Sequence, residues 1–215
     1  FDTARQMVEN PTVEYRMLAD DIGYISVASF YDVTADQYKA AVEDLKSQGM
    51  KGLIVDLRDN PGGLLTTVVD MLDYMLPEGK LVYTEDKDGN ILEEFDSTDE
   101  EQFTLPLVVM INENSASASE IYAGAIKDYG AGKLVGIQTF GKGIVQRIFD
   151  LGDGSALKLT IAKYFTPNGN DIHEIGVAPD VEVELSDEAK EATILDETND
   201  NQLQKGIEVL KEEMK

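Results

Sequence analysis

The sequence predicts an α/β fold built around a largely parallel sheet. Two short apolar runs, residues 52–57 and 105–111, are typical of strands that are buried on both faces. Each run is followed by a loop and then by a segment whose apolar residues have helical spacing. Because this strand–loop–helix unit recurs, and a third strand starts at residue 134, we expect a parallel core with antiparallel strands added to it.

The other elements follow in chain order from the same periodicities. Thr34 is the expected N-cap of the first helix, and Gly49 is its expected end. The acidic segment 85–101 is expected to be an exposed loop or ribbon, with a turn at Asp88-Gly89. The remaining predicted strands are residues 12–18, 22–27, 81–83, 143–151 and 156–165. The predicted helices are residues 35–48, 64–76, 116–129 and an amphipathic segment within 201–215.

Composition excludes several classes of site. The 215 residues include no Cys and a single His, which excludes a thiol nucleophile, disulfides, Cys-ligated metals and any two-His metal site. We expect neither a metal nor another cofactor. The 42 Asp and Glu residues against 18 Lys and Arg residues give a net charge of −24. Nucleic acid and anionic membrane surfaces repel such a chain and are not expected partners.

The loop after the second buried strand carries three serines among small alanines, in the sequence NENSASASE at residues 112–120. A serine at the start of a helix is most often an N-cap. Three serines exceed what a cap requires, and the alanines would let a substrate backbone come close. Backbone N–H groups in the first turn have no partner within the helix and can donate to an oxyanion. At this stage a cap and a nucleophile are both open interpretations.

A second candidate group lies in the sequence TFGKGIVQ at residues 139–146. Lys142 stands between two glycines just before a predicted strand, where a solvated loop lysine is the ordinary interpretation. The functional alternative is a desolvated, neutral lysine that acts as general base for a serine. If Lys142 and Gln146 both lie on the strand, they share one face, and Gln146 could then hold the amine in place.

A third candidate is the loop DLRDNPGG at residues 56–63, which links the first buried strand to its helix. Pro-Gly-Gly is ordinarily only a turn. A glycine-rich loop at this position can also present backbone N–H groups to an anion. Asp56 and Arg58 are two residues apart at the end of the strand, and we expect an ion pair between them to brace the loop.

Together these segments resemble the catalytic core of the carboxyl-terminal processing peptidases, also called tail-specific proteases. Their order and spacing, over roughly residues 5 to 210, are more specific than any one segment. The fold that the resemblance implies is the ClpP/crotonase-like spiral of ββα units, in agreement with the predicted α/β class. The matching blocks are GYISVASF (23–30), GLIVDLRDNPGG (52–63), NENSASASEI (112–121), TFGKGIVQ (139–146) and YFTPNGNDIHEIGVAPDVEVEL (164–185).

The resemblance implies a bacterial serine endopeptidase that works through a Ser-Lys dyad and an acyl-enzyme. In the family pattern Ser117 is the nucleophile, Lys142 is the general base and Gln146 assists the lysine. The amides of Gly63 and Ala118 form the oxyanion hole. Neighbouring positions are expected to contact substrate, and these are Gly62, Ser119 and Gly141.

The resemblance also implies a domain organisation and partners. Residues 1–13 correspond to the end of a PDZ domain and its linker, residues 14–185 to the peptidase core, and residues 186–215 to an acidic helical segment that packs on the core. A homodimer contact is the alternative for that segment. The expected substrates are polypeptides cleaved near their carboxyl termini in the cell envelope or periplasm. We expect the full-length protein to carry a PDZ domain and an N-terminal membrane anchor.

Two other classes of function use related folds. One is a non-catalytic ligand- or protein-binding domain, such as the retinoid-binding modules of the photoreceptor matrix. The presence of Ser117, Lys142 and Gln146 argues against this class. The other is an acyl-CoA enzyme of the crotonase type, against which the acidity of the chain argues, because CoA favours basic contacts.

Overall fold

The computed structural model describes residues 10–98 and 102–215. Residues 1–9, which belong to the expected PDZ end and linker at 1–13, and residues 99–101 of the acidic segment lie outside the described residues. The strands are β1 (Val13–Met17), β2 (Ile22–Val27), β3 (Gly52–Asp56), β4 (Gly79–Glu85), β5 (Ile91–Ser97), β6 (Leu107–Ile111), β7 (Lys133–Gly136), β8 (Ile144–Asp150), β9 (Ala156–Phe165) and β10 (Val181–Glu182). The helices are α1 (Thr34–Ser47), α2 (Leu65–Met75), α3 (Ala118–Tyr129), α4 (Asp187–Glu191) and α5 (Asn201–Glu213), with a 3₁₀ turn at Ala19–Asp21.

A six-stranded sheet forms the centre of the molecule, in the order β1-β2-β3-β6-β7-β10. β1 is antiparallel to β2, and the four other pairings are parallel. β3 and β6, the two apolar runs of the sequence, lie side by side in the middle of the sheet, with Ile54 opposite Val108. The predicted α/β fold with a parallel core and antiparallel additions is confirmed.

Both faces of this sheet are covered, which explains why its central strands are apolar at nearly every position. Successive side chains of a strand point to opposite faces. Leu53 and Val55 therefore pack into a cluster with α1, α2 and α3, whereas Ile54 packs into a second cluster with Leu203 and Leu210 of α5. Of the helices that the structure describes, none is long and apolar enough to cross a membrane.

A second, antiparallel sheet has the order β5-β4-β9-β8. β4 joins this sheet to the body of the molecule, because Leu81 and Val82 belong to the larger cluster. The acidic segment, expected as a loop or ribbon, includes the exposed strand β5, which pairs with β4 across a turn at Gly89. β8 forms one edge of this sheet and β5 forms the other. The ends of β8 and β9 that are joined by their turn are exposed.

Several element boundaries differ by one or a few residues from those expected from the sequence, among them the starts of α3, α1 and β8. α3 begins at Ala118 rather than at residue 116, because the backbone of Ser117 is not helical. Thr34 is the first residue of α1 rather than its N-cap, and Val33 occupies the cap position. β8 begins at Ile144, so Lys142 lies in the loop before the strand.

The sheet brings two of the candidate loops together. β3 and β6 are adjacent and parallel, so the loops that leave their carboxyl ends emerge at the same edge. The loop after β3 carries residues 57–64, and the loop after β6 carries residues 112–117. The glycine-rich and serine-rich segments are therefore neighbours, as the sequence predicts for ligand-binding loops of a parallel sheet.

Candidate active site

Ser117 lies at the junction between the loop after β6 and the first turn of α3. Its backbone has φ 56° and ψ −112°, a combination that residues other than glycine rarely adopt. Such strain persists only where the surroundings over-determine the conformation. Here the N–H of Ser117 donates to Oε2 of Glu120 at 2.8 Å, while the residue remains partly exposed.

The glycine-rich loop packs directly against this serine. A Cβ atom on Gly62 would lie 2.8 Å from Cβ of Ser117 and 2.7 Å from the carbonyl oxygen of Ala116. Only glycine allows so close an approach, and Gly62 also has φ +100°. Phe30 holds the loop from its other side, because its N–H donates to the carbonyl oxygen of Gly62 at 3.1 Å.

Asn60 is fully buried and ties the two loops together. Its side-chain oxygen accepts the N–H of Gly62 at 2.9 Å. Its carbonyl oxygen accepts the N–H of Ala116 at 3.0 Å and the hydroxyl of Ser119 at 2.9 Å. Ser119, expected to contact substrate, is fully buried, and its hydroxyl is turned inward onto this loop.

Two backbone N–H groups near Ser117, both among the described residues, donate no hydrogen bond. Ala118 is the first residue of α3, so its N–H has no acceptor within the helix. Within residues 10–98 and 102–215, no hydrogen bond engages the N–H of Ala118 or of Gly63. The N–H of Gly62 is already taken by Asn60, which leaves Gly63 as the glycine amide open to a ligand. These are the two amides expected to form the oxyanion hole.

Glu120 is fully buried and joins the serine to the lysine loop. Its Oε2 accepts the N–H groups of Ser117 and Lys142, each at 2.8 Å. Its Oε1 accepts the hydroxyl of Thr139 and the N–H of Gly141, each at 2.6 Å. A buried carboxylate is costly unless its lone pairs are satisfied, and four donors satisfy them here. Glu120 therefore fixes the backbones that carry both predicted dyad residues.

The side chain of Lys142 is not desolvated as the general-base interpretation expects. Lys142 is exposed, and among the described residues no hydrogen bond joins its Nζ to the hydroxyl of Ser117. The flanking Gly141 and Gly143 supply no side chain that could cover it. Catalytic hydrogen bonds are often unformed before substrate binds, so the geometry leaves a role for Lys142 open.

Gln146 and Gly141, the other two residues expected at the site in this part of the chain, differ in exposure. Gln146 is exposed on β8, opposite Thr160 of β9 and next to a β-bulge. It lines a groove of about 440 Å³ between β8 and β5. Because Lys142 precedes the strand, the argument for a shared strand face does not apply. Gly141, expected to contact substrate, is buried, and its N–H and carbonyl groups are bonded to Glu120 and Glu174.

The expected ion pair between Asp56 and Arg58 is present, with Nη2 and Oδ2 2.6 Å apart. Burial acts to lower the pKa of Arg58, but the carboxylates of Asp56 and Asp200 outweigh it and raise that pKa. Burial, together with Asp56, raises the pKa of Tyr24, whose hydroxyl donates to Asp56 at 2.7 Å. The start of the glycine-rich loop is therefore held by a charged, buried cluster.

Sequence reasoning missed Asn60 and Glu120. The spacing Ser-x-x-Glu from Ser117 to Glu120 is a capping-box signal and could have predicted the bond to the Ser117 amide. The bonds of Glu120 to the 139–142 loop join residues about 20 positions apart, and no local pattern predicts them. Asn60 in the sequence resembles any turn asparagine.

The arrangement suits acyl transfer through a serine. Such chemistry requires an accessible hydroxyl, a base that can approach it and N–H donors for the oxyanion. The site supplies a partly exposed Ser117 hydroxyl and two N–H donors. The carboxylate of Glu120 accepts the backbone N–H groups of both Ser117 and Lys142. In the parts of the chain that the structure describes, no cluster of His, Asp or Glu side chains could hold a metal ion.

Residues 21–183 match peptidase family S41, and the chain belongs to this family. The carboxyl-terminal-processing protease of Synechocystis sp. is 45% identical over 193 residues, which cover 86% of this chain and 44% of that protein. The carboxy-terminal-processing protease of Bartonella bacilliformis is 41% identical over 189 residues, or 84% of this chain and 42% of that protein.

A solved structure shows the same fold. The photosystem II D1 C-terminal processing protease superposes with a TM-score of 0.77 at 36% sequence identity, covering 84% of this chain and 50% of that one. Family membership and this structural similarity confirm the resemblance and the fold that it implied. The chain spans less than half the length of the two curated relatives described above.

Proposed function

We propose that this chain is the catalytic core of a serine endopeptidase that acts through Ser117 and Lys142. The observation that carries the proposal is the shared carboxylate, because Oε2 of Glu120 accepts the N–H groups of both residues at 2.8 Å. Membership of peptidase family S41 and the names of the relatives support this reaction class. The substrates are accordingly polypeptides.

In the first half of the reaction, neutral Lys142 takes the hydroxyl proton of Ser117 as Oγ bonds to the scissile carbonyl carbon. The carbonyl oxygen becomes an oxyanion, which the N–H groups of Gly63 and Ala118 stabilise. The intermediate collapses when the C–N bond breaks, and the Lys142 ammonium gives its proton to the departing amine. An ester between Ser117 and the N-terminal part of the substrate remains.

The second half hydrolyses this ester with water as the nucleophile. Lys142 takes a proton from the water and gives it to Oγ of Ser117 as the ester C–O bond breaks. Both halves require the exposed Lys142 side chain to turn inward from a backbone that Glu120 already holds. A bound polypeptide would cover the lysine and exclude water. The family resemblance is what assigns Gln146, exposed on β8, the role of assisting Lys142.

Cleavage of an unstructured protein tests the proposal. Reduced, unfolded casein is incubated with the wild type, Ser117→Ala and Lys142→Ala, and fragments are mapped by mass spectrometry. Ser155→Ala and Lys158→Ala are matched controls, because both residues are exposed on the β8–β9 hairpin. We expect fragments from the wild type and both controls, and none from the two site variants. Equal cleavage by Ser117→Ala would contradict the proposal.

One observation favours a second candidate, a non-catalytic binding domain. Lys142 is exposed, as a surface lysine would be in a protein that has lost catalysis. A binding domain would capture polypeptides without cleaving them. The casein experiment separates the two functions, because a binding domain leaves casein intact whether or not Ser117 is present.

We further propose that cleavage occurs near substrate carboxyl termini, as the names of the relatives state for those proteins. Paired peptides that differ only in a free or amidated carboxyl terminus test this point. Faster cleavage of the free acid would show that these residues select a terminal carboxylate. Equal rates would show that selection of the terminus does not reside in them.

The other expectations from the family resemblance are also proposals. They are the boundaries at residues 13 and 185, a PDZ domain and membrane anchor in the full-length protein, and a location in the cell envelope or periplasm. α5 packs on the central sheet through Leu203 and Leu210, which favours the packed alternative over a homodimer contact. Sedimentation over a range of protein concentrations tests the oligomeric state.

A further inference from the structure

A buried cluster of charged side chains joins the glycine-rich loop to the C-terminal helix. Nη2 of Arg58 lies 2.6 Å from Oδ2 of Asp56 and 2.7 Å from Oδ2 of Asp200. Nη1 of Arg58 donates to Oδ1 of Asp200 at 3.1 Å and to Oε1 of Gln202 at 3.0 Å. The side chains of Arg58, Asp56 and Asp200 are 10%, 6% and 2% exposed, so the guanidinium is almost wholly enclosed.

The partners of Arg58 come from two segments that are far apart in the sequence. Asp56 is the last residue of β3, directly before the loop that carries Gly62 and Gly63. Asp200 is the N-cap of α5, and Gln202 is the second residue of that helix. The start of α5 is therefore bonded to the first turn of the glycine-rich loop.

A buried cluster of this kind is expected to add little to the free energy of unfolding. Two carboxylates and one guanidinium leave a net negative charge in a buried place, and desolvation offsets most of the attraction between such groups. Apolar side chains of similar volume often stabilise a core equally well. Bidentate bonds from a planar guanidinium do fix direction and distance closely, however. The cluster thus suits the positioning of a backbone better than the stabilisation of a fold.

The loop that the cluster anchors needs such positioning. Asp59 has φ 60° and Gly62 has φ +100°, so the chain passes through two left-handed conformations within four residues. Within this stretch, the N–H of Gly62 donates to the side chain of Asn60 rather than to a strand or a helix. Strained segments keep one conformation only when neighbouring contacts over-determine it. Asn60 bonds this loop to Ser119 of α3, and Arg58 bonds it to the start of α5.

We propose that Asp200, assisted by Gln202, is a positioning residue that aligns the Gly63 amide through Arg58. The inference rests on the proposed peptidase function. An oxyanion exists only in the transition state and the intermediate, so a misaligned Gly63 amide weakens catalysis rather than substrate binding. Docking of α5 and completion of the oxyanion hole are then one coupled event.

The test compares Asp200→Asn with the wild type on one peptide chosen from the mapped casein cleavage sites. Asparagine is as good an N-cap as aspartate, so the bond to the Leu203 amide and the start of α5 are retained. The substitution leaves Arg58 facing one carboxylate, that of Asp56, instead of two. Asp200→Glu is the conservative rescue. Asp187→Asn is the matched control, because Asp187 is an exposed carboxylate in the first turn of α4.

We expect Asp200→Asn to lower kcat about tenfold with KM changed less than about twofold, a fraction of the effect of losing an oxyanion donor. Asp200→Glu should recover much of that loss, and Asp187→Asn should behave as the wild type. Amide hydrogen exchange in a peptide spanning residues 58–62 should be faster in Asp200→Asn, and exchange in residues 107–111 of β6 should be unchanged.

The outcomes separate this inference from the proposed function. A wild type that does not cleave the peptide overturns both. A wild type that cleaves, together with Asp200→Asn of unchanged kcat and unchanged exchange at 58–62, overturns the positioning role alone. If Asp200→Asn does not fold, Gln202→Met replaces it, since it removes an acceptor of Arg58 while keeping the side-chain volume. Wild-type kcat in that variant would also overturn the role of α5.

Discussion

The backbone amide of Lys142 donates to Oε2 of Glu120 at 2.8 Å, and the same oxygen accepts the amide of Ser117 at the same distance. The serine and the lysine loop, 25 residues apart in the sequence, are therefore fixed relative to each other before the lysine side chain moves. Under the proposed mechanism, the side chain of Lys142 would approach Ser117 from a backbone that Glu120 already holds.

Glu120→Gln tests this link. The amide replaces one acceptor oxygen by an NH₂ group, and each oxygen of Glu120 accepts at least one backbone N–H, so a buried donor loses its partner in either orientation. We expect kcat/KM to fall about a hundredfold and the free energy of unfolding to fall by about 1–3 kcal/mol. Peptide kinetics and urea unfolding measure these changes. Glu113→Gln, at an exposed position of the loop that precedes α3, is the control and should change neither quantity.

Gly62→Ala should remove activity through a steric clash at the serine. The new Cβ would lie 2.7 Å from the Ala116 carbonyl oxygen and 2.8 Å from Cβ of Ser117, so one of the two loops must shift. Gly89→Ala is the matched control, because Gly89 also has positive φ but no atom within 4 Å of the new Cβ. The control should lose about 1 kcal/mol of stability and keep full activity. Equal activity of the two variants would show that the loops are not in contact as described.

Ser117→Gly should be more stable than Ser117→Ala. Glycine adopts φ 56° and ψ −112° without a Cβ clash, whereas alanine keeps the strain of the serine backbone. We expect a difference of about 1 kcal/mol in the free energy of unfolding, and no peptidase activity in either variant. Urea unfolding of the two proteins side by side measures it. Equal stabilities would mean that the Ser117 backbone is relaxed.

Asp70→Asn should stabilise the protein at neutral pH and not in acid. Burial, and then Asp73 and Asp36, raise the pKa of Asp70 above 3.8, so its ionised form is disfavoured in the folded state. The resulting loss in the free energy of unfolding is complete above the pKa of Asp70 in the folded state. It is absent below the pKa of Asp70 in the unfolded state. Because the group is largely exposed, the gain at pH 7 is at most about 0.5 kcal/mol, and it vanishes near pH 3. Asp32→Asn, at an exposed position, controls for the change in net charge. A gain for Asp70→Asn that is independent of pH would rule out this cause.

The sequence predicts the strands and loops that carry the site, because these elements depend on short-range patterns. The apolar runs at β3 and β6 identify two buried parallel strands, and adjacent parallel strands send their loops to one edge. The family resemblance then assigns roles to Ser117 and Lys142. None of these steps requires contacts between distant residues.

What the sequence does not predict are contacts across long separations. Asp200 lies 142 residues after Arg58, and its N-cap position gives no sign of a second bond to a guanidinium. The exposure of Lys142 is likewise a property of the folded loop, since Gly141 and Gly143 are as compatible with a buried turn as with an open one. Tertiary packing decides both features.

Phosphonylation of Ser117 is the most direct test of the central proposal, that Lys142 activates this serine. The wild type and Lys142→Ala are treated with a fluorophosphonate at mildly alkaline pH, and the modified residue is identified by peptide mass mapping. The proposed mechanism predicts a single adduct on Ser117 in the wild type and none in Lys142→Ala. Equal labelling of Ser117 in both proteins, or no adduct in a wild type that cleaves casein, would contradict it.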